Sequence, residues 1–166
     1  TEAEGTLLLT GPASAEILGP LTNGDLSTPW MTHQQARVCG HPALLARVSF
    51  AGELGWELHA AHDALPDIYD ALRSAGATPF GMFALDSLRL EKGYRTWKGD
   101  LSSEYSLLEL GVDRFVTLDK AEDFPGKAAL MAERATGSPR RFVSLIVDAP
   151  DRDARAMATV RMDGKV

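Results

Sequence analysis

The apolar positions of the first hundred residues alternate between strand-like and helix-like spacing. Residues 6–10 form a compact apolar run that is typical of a buried strand. Residues 37–50 predict a hairpin that turns at residues 40–42, with apolar and polar positions alternating to its end. A further strand is predicted at residues 56–60.

Helical spacing follows the first and the last of these strands. Gly11 and Pro12 follow the first strand and open a short helix, with the proline in its first turn. A second helix covers residues 65–72 and ends at Gly76, and a third covers residues 82–92 and stops at a glycine. Strands and helices that interleave in this way favour an α+β fold, in which helices cover one face of a sheet.

The pattern changes after residue 100, where a polar connection begins. We expect a first domain at residues 1–100, a linker with a short helix at 101–136, and the start of an all-β domain at 137–166. That last segment predicts a strand at 142–147 and a hairpin that turns at Asp163-Gly164. The return strand is cut short, so we expect the chain to be a piece of a longer polypeptide.

Composition excludes several classes of function. The chain has 166 residues, 45% of them hydrophobic, a net charge of -6 and a pI near 5.2, and it lacks the concentrated basic face that nucleic acid requires. No apolar run approaches the roughly 20 residues that span a bilayer, and no signal-peptide pattern opens the chain. The single cysteine, Cys39, cannot form an internal disulfide. We therefore expect a cytoplasmic protein without nucleic-acid or membrane partners.

Two glycine-punctuated stretches, residues 47–59 and 84–101, carry most of the candidate chemistry. Each joins a strand or helix pattern to closely spaced glycines and charged side chains, which suggests a surface that faces a ligand. His59, His62 and Asp63 could together suggest a metal site. They span a strand end and a helix entry with no further ligand group near in sequence, so no metal is predicted.

The order of these motifs resembles the glycine cleavage T-protein (aminomethyltransferase) superfamily. Residues 47–57 are similar to its pattern Arg-x-Ser/Gly-Tyr-x-Gly-Glu-x-Gly-aromatic-Glu, and residues 87–93 to Ser-Leu-Arg-Leu-Glu-x-Gly. Residues 91–97, followed by Asp100-Leu101, are more similar to the folate-binding half of sarcosine and dimethylglycine dehydrogenases. The resemblance implies the latter part of a ferredoxin-like, folate-binding domain, followed by the start of a β-barrel domain.

The resemblance also implies a folate site. Glu57 matches the family position whose carboxylate binds the pterin ring, and a pterin edge offers two parallel N–H donors to such a bidentate acceptor. Gly52 and Gly55 would let the backbone turn tightly beside the ligand. Phe50 and Leu85 stand where the T-protein has tyrosine and arginine, so a hydroxyl and a guanidinium are missing from the expected site.

Two residues that lie close in sequence to these candidate site residues are interpreted as structural. Trp56 precedes Glu57 on the same strand, and adjacent strand residues point to opposite faces, so we expect Trp56 to pack in the core. Arg89 lies one helical turn after Leu85, away from the position of the T-protein arginine, and we expect it to form an ion pair.

The function implied is that of the tetrahydrofolate-binding, one-carbon-transfer portion of an FAD-dependent N-methyl-amine (sarcosine or dimethylglycine) dehydrogenase or oxidase. FAD would belong to an absent N-terminal domain. The essential aspartate of the family would precede this chain, so its catalytic residue is unknown and the isolated chain should be inactive. Folate and a small N-methyl amine are the expected partners, and the oligomeric state stays open.

Three alternatives remain open at this point. The chain could belong to a free-standing aminomethyltransferase of the glycine cleavage system, or to a non-catalytic folate-binding or regulatory relative. It could also be an unrelated α+β structural domain, in which Glu57 would be an ordinary exposed carboxylate of a strand.

Overall fold

The chain divides into two compact units, Thr1–Thr96 and Trp97–Val166. The computed structural model describes residues 3–151, 154–155, 158–161 and 163–165. The first unit is a mixed α and β structure built on an antiparallel sheet, and the second holds turns and a helix. The α+β class predicted from the sequence therefore agrees with the first unit. The finer division at residues 100 and 136 stays a prediction.

The sheet of the first unit has four described strands. These are β1 (Glu4–Thr10), β2 (His33–Val38), β3 (His41–Ala46) and β4 (Gly55–Ala61). They are ordered β1-β4-β3-β2, and each neighbouring pair is antiparallel. The last of the described strands is thus inserted between the first strand and the hairpin. This arrangement gives β4 a partner on each side.

The hairpin of β2 and β3 turns one residue earlier than the sequence predicted. Cys39 and Gly40 form the turn, and both have positive φ angles, 51° and 84°, as the mirror-image turns of tight hairpins require. The predicted strand also ends too late: β3 stops at Ala46 instead of continuing to Phe50. The amide of Val48 donates to the carbonyl of Ala46 at 2.9 Å. This local turn bends the chain out of the sheet.

The described part of the first unit also contains three α-helices, α1 (Ser14–Leu18), α2 (Leu65–Ser74) and α3 (Met82–Glu91), and a 3-10 turn at Gly19–Leu21. The predicted helices at 65–72 and 82–92 are confirmed within two residues at each end. Both are followed by a glycine with positive φ, as expected, at 106° for Gly76 and 72° for Gly93. The first helix begins later than predicted, so its proline precedes the helix instead of lying in its first turn.

The core lies on one face of the sheet, under α1 and α2. Alternate residues of each strand point toward these helices, and α2 contributes residues at helical spacing. Full burial of each large apolar side chain contributes roughly 1.5–3 kcal/mol. The buried cluster consists of Leu9, Leu18, Val38, Ala43, Leu45, Trp56, Leu58, Ala60, Ala64, Ile68 and Leu72.

The second unit contains a 3-10 turn at Asp113–Phe115 and the helix α4 (Lys127–Thr136). The helix confirms the short helix that the sequence predicted around residues 126–134. The predicted strand at 142–147 is wrong for this structure, because these residues form no strand. Val143, Leu145 and Ile146 are exposed there. A strand requires a hydrogen-bonded neighbouring strand, and no described strand pairs with this segment.

The hairpin predicted at the end of the chain is only partly within the described residues. Asp163 and Gly164 have positive φ angles of 54° and 77°, which suit the predicted turn. Residues 158–161 form no strand, and residues 162 and 166 lie outside the described part. The start of a β-barrel is therefore not confirmed.

A buried carboxylate organises the second unit. Glu109 accepts a hydrogen bond from the backbone amide of Ser106 at 3.0 Å and one from Nε of Arg140 at 2.8 Å. Its own amide donates to the Ser106 hydroxyl at 3.0 Å, and its carbonyl accepts from the amide of Phe142 at 2.7 Å. The Ser106 amide and then the Arg140 guanidinium hold the pKa of Glu109 below its ordinary value.

Acid should therefore loosen the second unit. A carboxyl whose pKa is depressed by folding stabilises the fold above its unfolded pKa of about 4.3, and this stabilisation is lost as the pH falls through the folded pKa. The protection of the backbone amides of residues 106–111 from hydrogen exchange, corrected for intrinsic rates, should therefore fall as the pH is lowered below about 4.3. Glu109→Gln should flatten this dependence, whereas the exposed control Glu122→Gln should retain it. An unchanged acid profile in Glu109→Gln would contradict the assignment.

Candidate functional site

A row of three polar side chains crosses the face of the sheet that lies opposite the core. Glu57 and His59 are two residues apart on β4 and therefore project from the same face. Oε2 of Glu57 lies 3.1 Å from Nε2 of His59, and Nδ1 of His59 lies 2.9 Å from Oγ1 of Thr6. The side chains of Glu57 and His59 are 33% and 35% exposed. The carboxylate is thus held in place while remaining accessible.

Strand register produces this row. β1 runs antiparallel to β4 and places Thr6 directly opposite His59, with Leu8 opposite Glu57. On the other side of β4, Ala46 of β3 is opposite Glu57. Ala46 presents only a methyl group on its side of the carboxylate, whereas Leu8 flanks the other side. The site consequently lies on a strand that is hydrogen-bonded along both edges.

Trp56 points to the other face, as the alternation predicted. Its side chain is buried in the core, and the guanidinium of Arg47 lies 5.8 Å from the centroid of its ring. The Arg47 guanidinium also donates to the carbonyl of Thr28. The packing role that the sequence assigned to Trp56 is therefore confirmed.

A cleft of about 370 Å³ opens near the start of β4. Gly55 lines this cleft, and Glu57 is the next residue on the same face of the strand. Positive and negative side chains both reach it, so the cleft suits a ligand with polar groups at more than one end. Its lining consists of Trp30, Arg47, Ser49, Gly52, Glu53, Leu54, Gly55, Lys92 and Tyr94.

Both predicted glycines have a packing reason within the chain itself. Gly52 has a φ of 82°, and a Cβ there would lie 2.3 Å from Cγ of Lys92. A Cβ on Gly55 would lie 2.7 Å from the carbonyl oxygen of Leu9 on β1. Side chains at these positions would push apart the loop and the strand pair that border the cleft. A direct folate contact by either glycine stays a prediction.

The other two predicted site residues lie elsewhere. Phe50 is partly exposed in the loop between β3 and β4 but does not line the cleft. Leu85 lines a different groove, of about 550 Å³, which runs along β1 and the connection between α2 and α3. The two openings approach each other at β1 and the loop, where Oγ1 of Thr10 is 3.4 Å from Oγ of Ser49. Gly52 and Gly55 therefore line one cleft, Glu57 lies two residues further along β4, and Leu85 lines the other groove.

Arg89 forms the ion pair that the sequence predicted. The residue is buried, and its Nε lies 2.7 Å from Oδ1 of Asp86, one turn earlier on α3. Its Nη1 donates to the carbonyl of Tyr94 at 3.0 Å. Arg89 thus ties the end of α3 to the segment that follows.

Sequence reasoning missed the contact between His59 and Thr6. Glu57 and His59 share a strand face, which the two-residue spacing signals, but Thr6 is 53 residues away in the chain. Only the register of β1 against β4 brings it to His59.

Among the described residues, no group of three or more acidic, histidine or cysteine side chains is suited to hold a metal ion. No described helix is long and apolar enough to cross a membrane.

Comparison with known proteins gives the class of the chain. Residues 1–120 of its 166 match the family described as the GCVT N-terminal domain. The match covers well over half of the sequence and includes the sheet, the cleft and Glu57. The chain belongs to this family, and the predicted membership of the T-protein superfamily is confirmed.

Relatives from both branches of the superfamily match this chain. Mouse mitochondrial sarcosine dehydrogenase is 42% identical over 155 residues, which are 89% of this chain and 17% of that protein. Human mitochondrial dimethylglycine dehydrogenase is 35% identical over 173 aligned residues, covering 100% of this chain and 20% of that protein. The aminomethyltransferase of Moorella thermoacetica is 40% identical over 148 residues, which are 86% of this chain and 40% of that protein. The chain thus spans about a fifth of the length of these dehydrogenases.

The cytoplasmic location expected from the sequence is wrong. The sarcosine and dimethylglycine dehydrogenases that match this chain are named as mitochondrial proteins. An acidic composition and a single cysteine suit either compartment, so composition could not distinguish the two.

Gly55→Ala should destabilise the first unit by about 1–3 kcal/mol, because the new methyl group must displace the Leu9 carbonyl of the adjacent strand. Urea denaturation followed by circular dichroism measures the change. Gly19→Ala is the matched control, since Gly19 has a helical φ of -51° and open space around the added Cβ. Equal stability of Gly55→Ala and wild type would contradict the packing role.

Proposed function

We propose that this chain is the tetrahydrofolate-binding, one-carbon-transfer portion of an FAD-dependent N-methyl-amine dehydrogenase or oxidase. Its similarity to sarcosine and dimethylglycine dehydrogenases supports this reading. The single structural observation that carries it is the Glu57 carboxylate, which is accessible on a fixed strand beside a polar cleft. The substrate would be a small N-methyl amine, as the names of those relatives suggest.

The carboxylate of Glu57 fits the edge of a pterin ring. An ionised carboxylate accepts about four hydrogen bonds through its two oxygens, and a pterin edge offers two parallel N–H donors. His59 contacts Oε2, while Oε1 accepts no hydrogen bond from the described residues. Charge-assisted bidentate pairing is strong and directional, so it would fix the ring in plane and in register.

The cleft next to Glu57 would take other parts of the folate. Lys92 and Arg47 carry positive charge at its lining and suit the carboxylates of the glutamate tail. Gly52 and Gly55 would keep this border free of side chains, as their close approach to Lys92 and Leu9 suggests. In this proposal Phe50 offers an apolar ring from the loop.

Leu85 has the weakest support among the proposed folate-binding residues, because it lines the neighbouring groove along β1. It would reach a folate only if the ligand extended past Thr10 and Ser49, where the two openings approach each other. An apolar side chain there would contact the flat part of the ligand and supply no charge.

The chain would act by positioning. A flavin bound in another part of the complete protein would supply the two-electron oxidation of the amine to an imine. Glu57 would hold the pterin so that N5 of tetrahydrofolate lies against the imine carbon. A bond would form from N5 to that carbon, the bond from the carbon to the amine nitrogen would break as N10 closes the methylene bridge, and the demethylated amine would leave. Holding two reactants in contact replaces a bimolecular encounter and can lower the barrier by several kcal/mol. No residue of this chain is assigned as the base, so the isolated chain should be inactive.

A free-standing aminomethyltransferase is the second candidate. It is favoured by the bacterial aminomethyltransferase at 40% identity, of which the chain covers a larger share, 40%, than of the dehydrogenases. Phe50 and Leu85 argue for the dehydrogenase branch, because the T-protein pattern has tyrosine and arginine there. A non-catalytic folate-binding relative would keep the Glu57 site without turnover.

Glu57→Gln should weaken tetrahydrofolate binding at least about tenfold, because it replaces a charged bidentate acceptor by a neutral amide with one acceptor and one donor end. Isothermal titration of the complete polypeptide that carries this sequence measures the affinity. Glu16→Gln, exposed on α1, is the control and should bind as wild type does. Unchanged affinity in Glu57→Gln would show that Glu57 does not bind tetrahydrofolate. If the wild-type protein does not bind tetrahydrofolate, the proposal of a folate site is overturned.

The visible absorption spectrum of the same polypeptide separates the two enzyme candidates. A yellow protein with flavin absorption bands and a mass several times that of this chain is expected for the dehydrogenase. A colourless protein of smaller mass would overturn the dehydrogenase reading in favour of the aminomethyltransferase. Flavin loss during purification is controlled by adding FAD and dialysing before the spectrum is recorded.

A further inference from the structure

We propose that His59 is a positioning residue for Glu57, and that Thr6 fixes the imidazole ring for this task. This inference rests on the proposed function, because it concerns how the Glu57 carboxylate is presented to the pterin. The three side chains form one hydrogen-bonded row across two strands, with distances of 2.9 and 3.1 Å between successive partners.

The first step of the argument is the direction of the hydrogen bonds. The carboxylate of Glu57 can only accept, so the ring nitrogen that faces it, Nε2 of His59, must carry a proton. A neutral imidazole then has a lone pair on Nδ1, and the Thr6 hydroxyl can donate to it. A protonated imidazole donates at both nitrogens, and the same hydroxyl can accept. Thr6 therefore suits either protonation state with Nε2–H directed at Glu57.

The second step is what this contact does to the carboxylate. A glutamate on an open strand face has three side-chain torsions and loses entropy when a ligand fixes it. The contact from His59 holds Oε2 before any ligand arrives, while Oε1 and one further lone pair of Oε2 stay available. Two acceptor positions are what a pair of parallel N–H donors needs. The cost of ordering Glu57 is thus met in the free protein.

The third step is the rigidity of the support. His59 and Thr6 are directly opposite each other in the β1–β4 ladder, and β4 also pairs with β3 through Ala46 and its neighbours. Sites built on strands hold their geometry better than sites on loops. The loop that carries Gly52 borders the ligand cleft, but the orientation of Glu57 is determined by the sheet.

The test compares variants at His59 in the complete polypeptide, with tetrahydrofolate as the titrated probe. His59→Leu should weaken binding about tenfold, since a hydrogen bond to a charged group is lost. His59→Gln should restore most of the affinity, because its amide nitrogen can donate to Glu57 from nearly the same place as Nε2. Thr6→Val should weaken tetrahydrofolate binding by a smaller factor. Thr6→Ser keeps the hydroxyl group and should bind as wild type does.

A double-mutant cycle separates positioning from a structural role. If His59 acts through Glu57, then His59→Leu should change the affinity less than about twofold in a Glu57→Gln background. The same fold-loss in both backgrounds, or a failure of His59→Gln to rescue, would overturn the inference. The midpoint of thermal unfolding, measured for each variant, identifies any loss of affinity that comes from misfolding. If His59→Leu misfolds, Thr6→Val supplies the independent test of the hydrogen-bonded row.

The outcomes also distinguish this inference from the proposed function. Wild type that binds, together with a weakened Glu57→Gln and an unaffected His59→Leu, would leave the folate site intact and overturn the role of His59 alone. Wild type that does not bind tetrahydrofolate would overturn both. If Glu57→Gln binds tetrahydrofolate as tightly as wild type, the Glu57 carboxylate is not part of the folate site, and His59 has no ligand-binding group to position.

Discussion

The pairing of β4 with a strand on each side is the constraint on which the first unit depends. Its residues alternate between two environments: Trp56, Leu58 and Ala60 enter the core, and Glu57 and His59 face the other way. Burial of the first set under α1 and α2 stabilises the sheet, and that stable sheet holds the second set. Stability and the candidate site are therefore supplied by the same seven-residue strand.

Local signals predicted most of this unit correctly. Residues 65–72 and 82–92 have helical spacing with glycines beyond their ends, and both became helices that end before a left-handed glycine. The turn of the hairpin was misplaced because Cys39 adopts a positive φ, which side-chain-bearing residues seldom do. The segment 142–147 has strand composition, yet composition cannot supply the neighbouring strand that it needs.

The candidate site was predictable only where it follows a motif. Glu57, Gly52 and Gly55 lie within one glycine-rich stretch; the two glycines line one cleft, and Glu57 lies two residues beyond Gly55 on the same strand. The row from Thr6 to Glu57 depends on the register between β1 and β4, which joins residues far apart in the chain. No local pattern carries that register. Leu85 was assigned from a family position, and it lines a different groove from the one that Gly52 and Gly55 line.

Alternation along β4 also has a consequence for misfolding. Because side chains repeat every two residues, a slip of one position in the β1–β4 register would exchange the two faces of the strand. Glu57 and His59 would then enter the core and Trp56 would be exposed to water, at a cost of several kcal/mol for the desolvated charge alone. The polar side chains that are suited to receive a ligand thus also disfavour the nearest wrong alignment of the sheet.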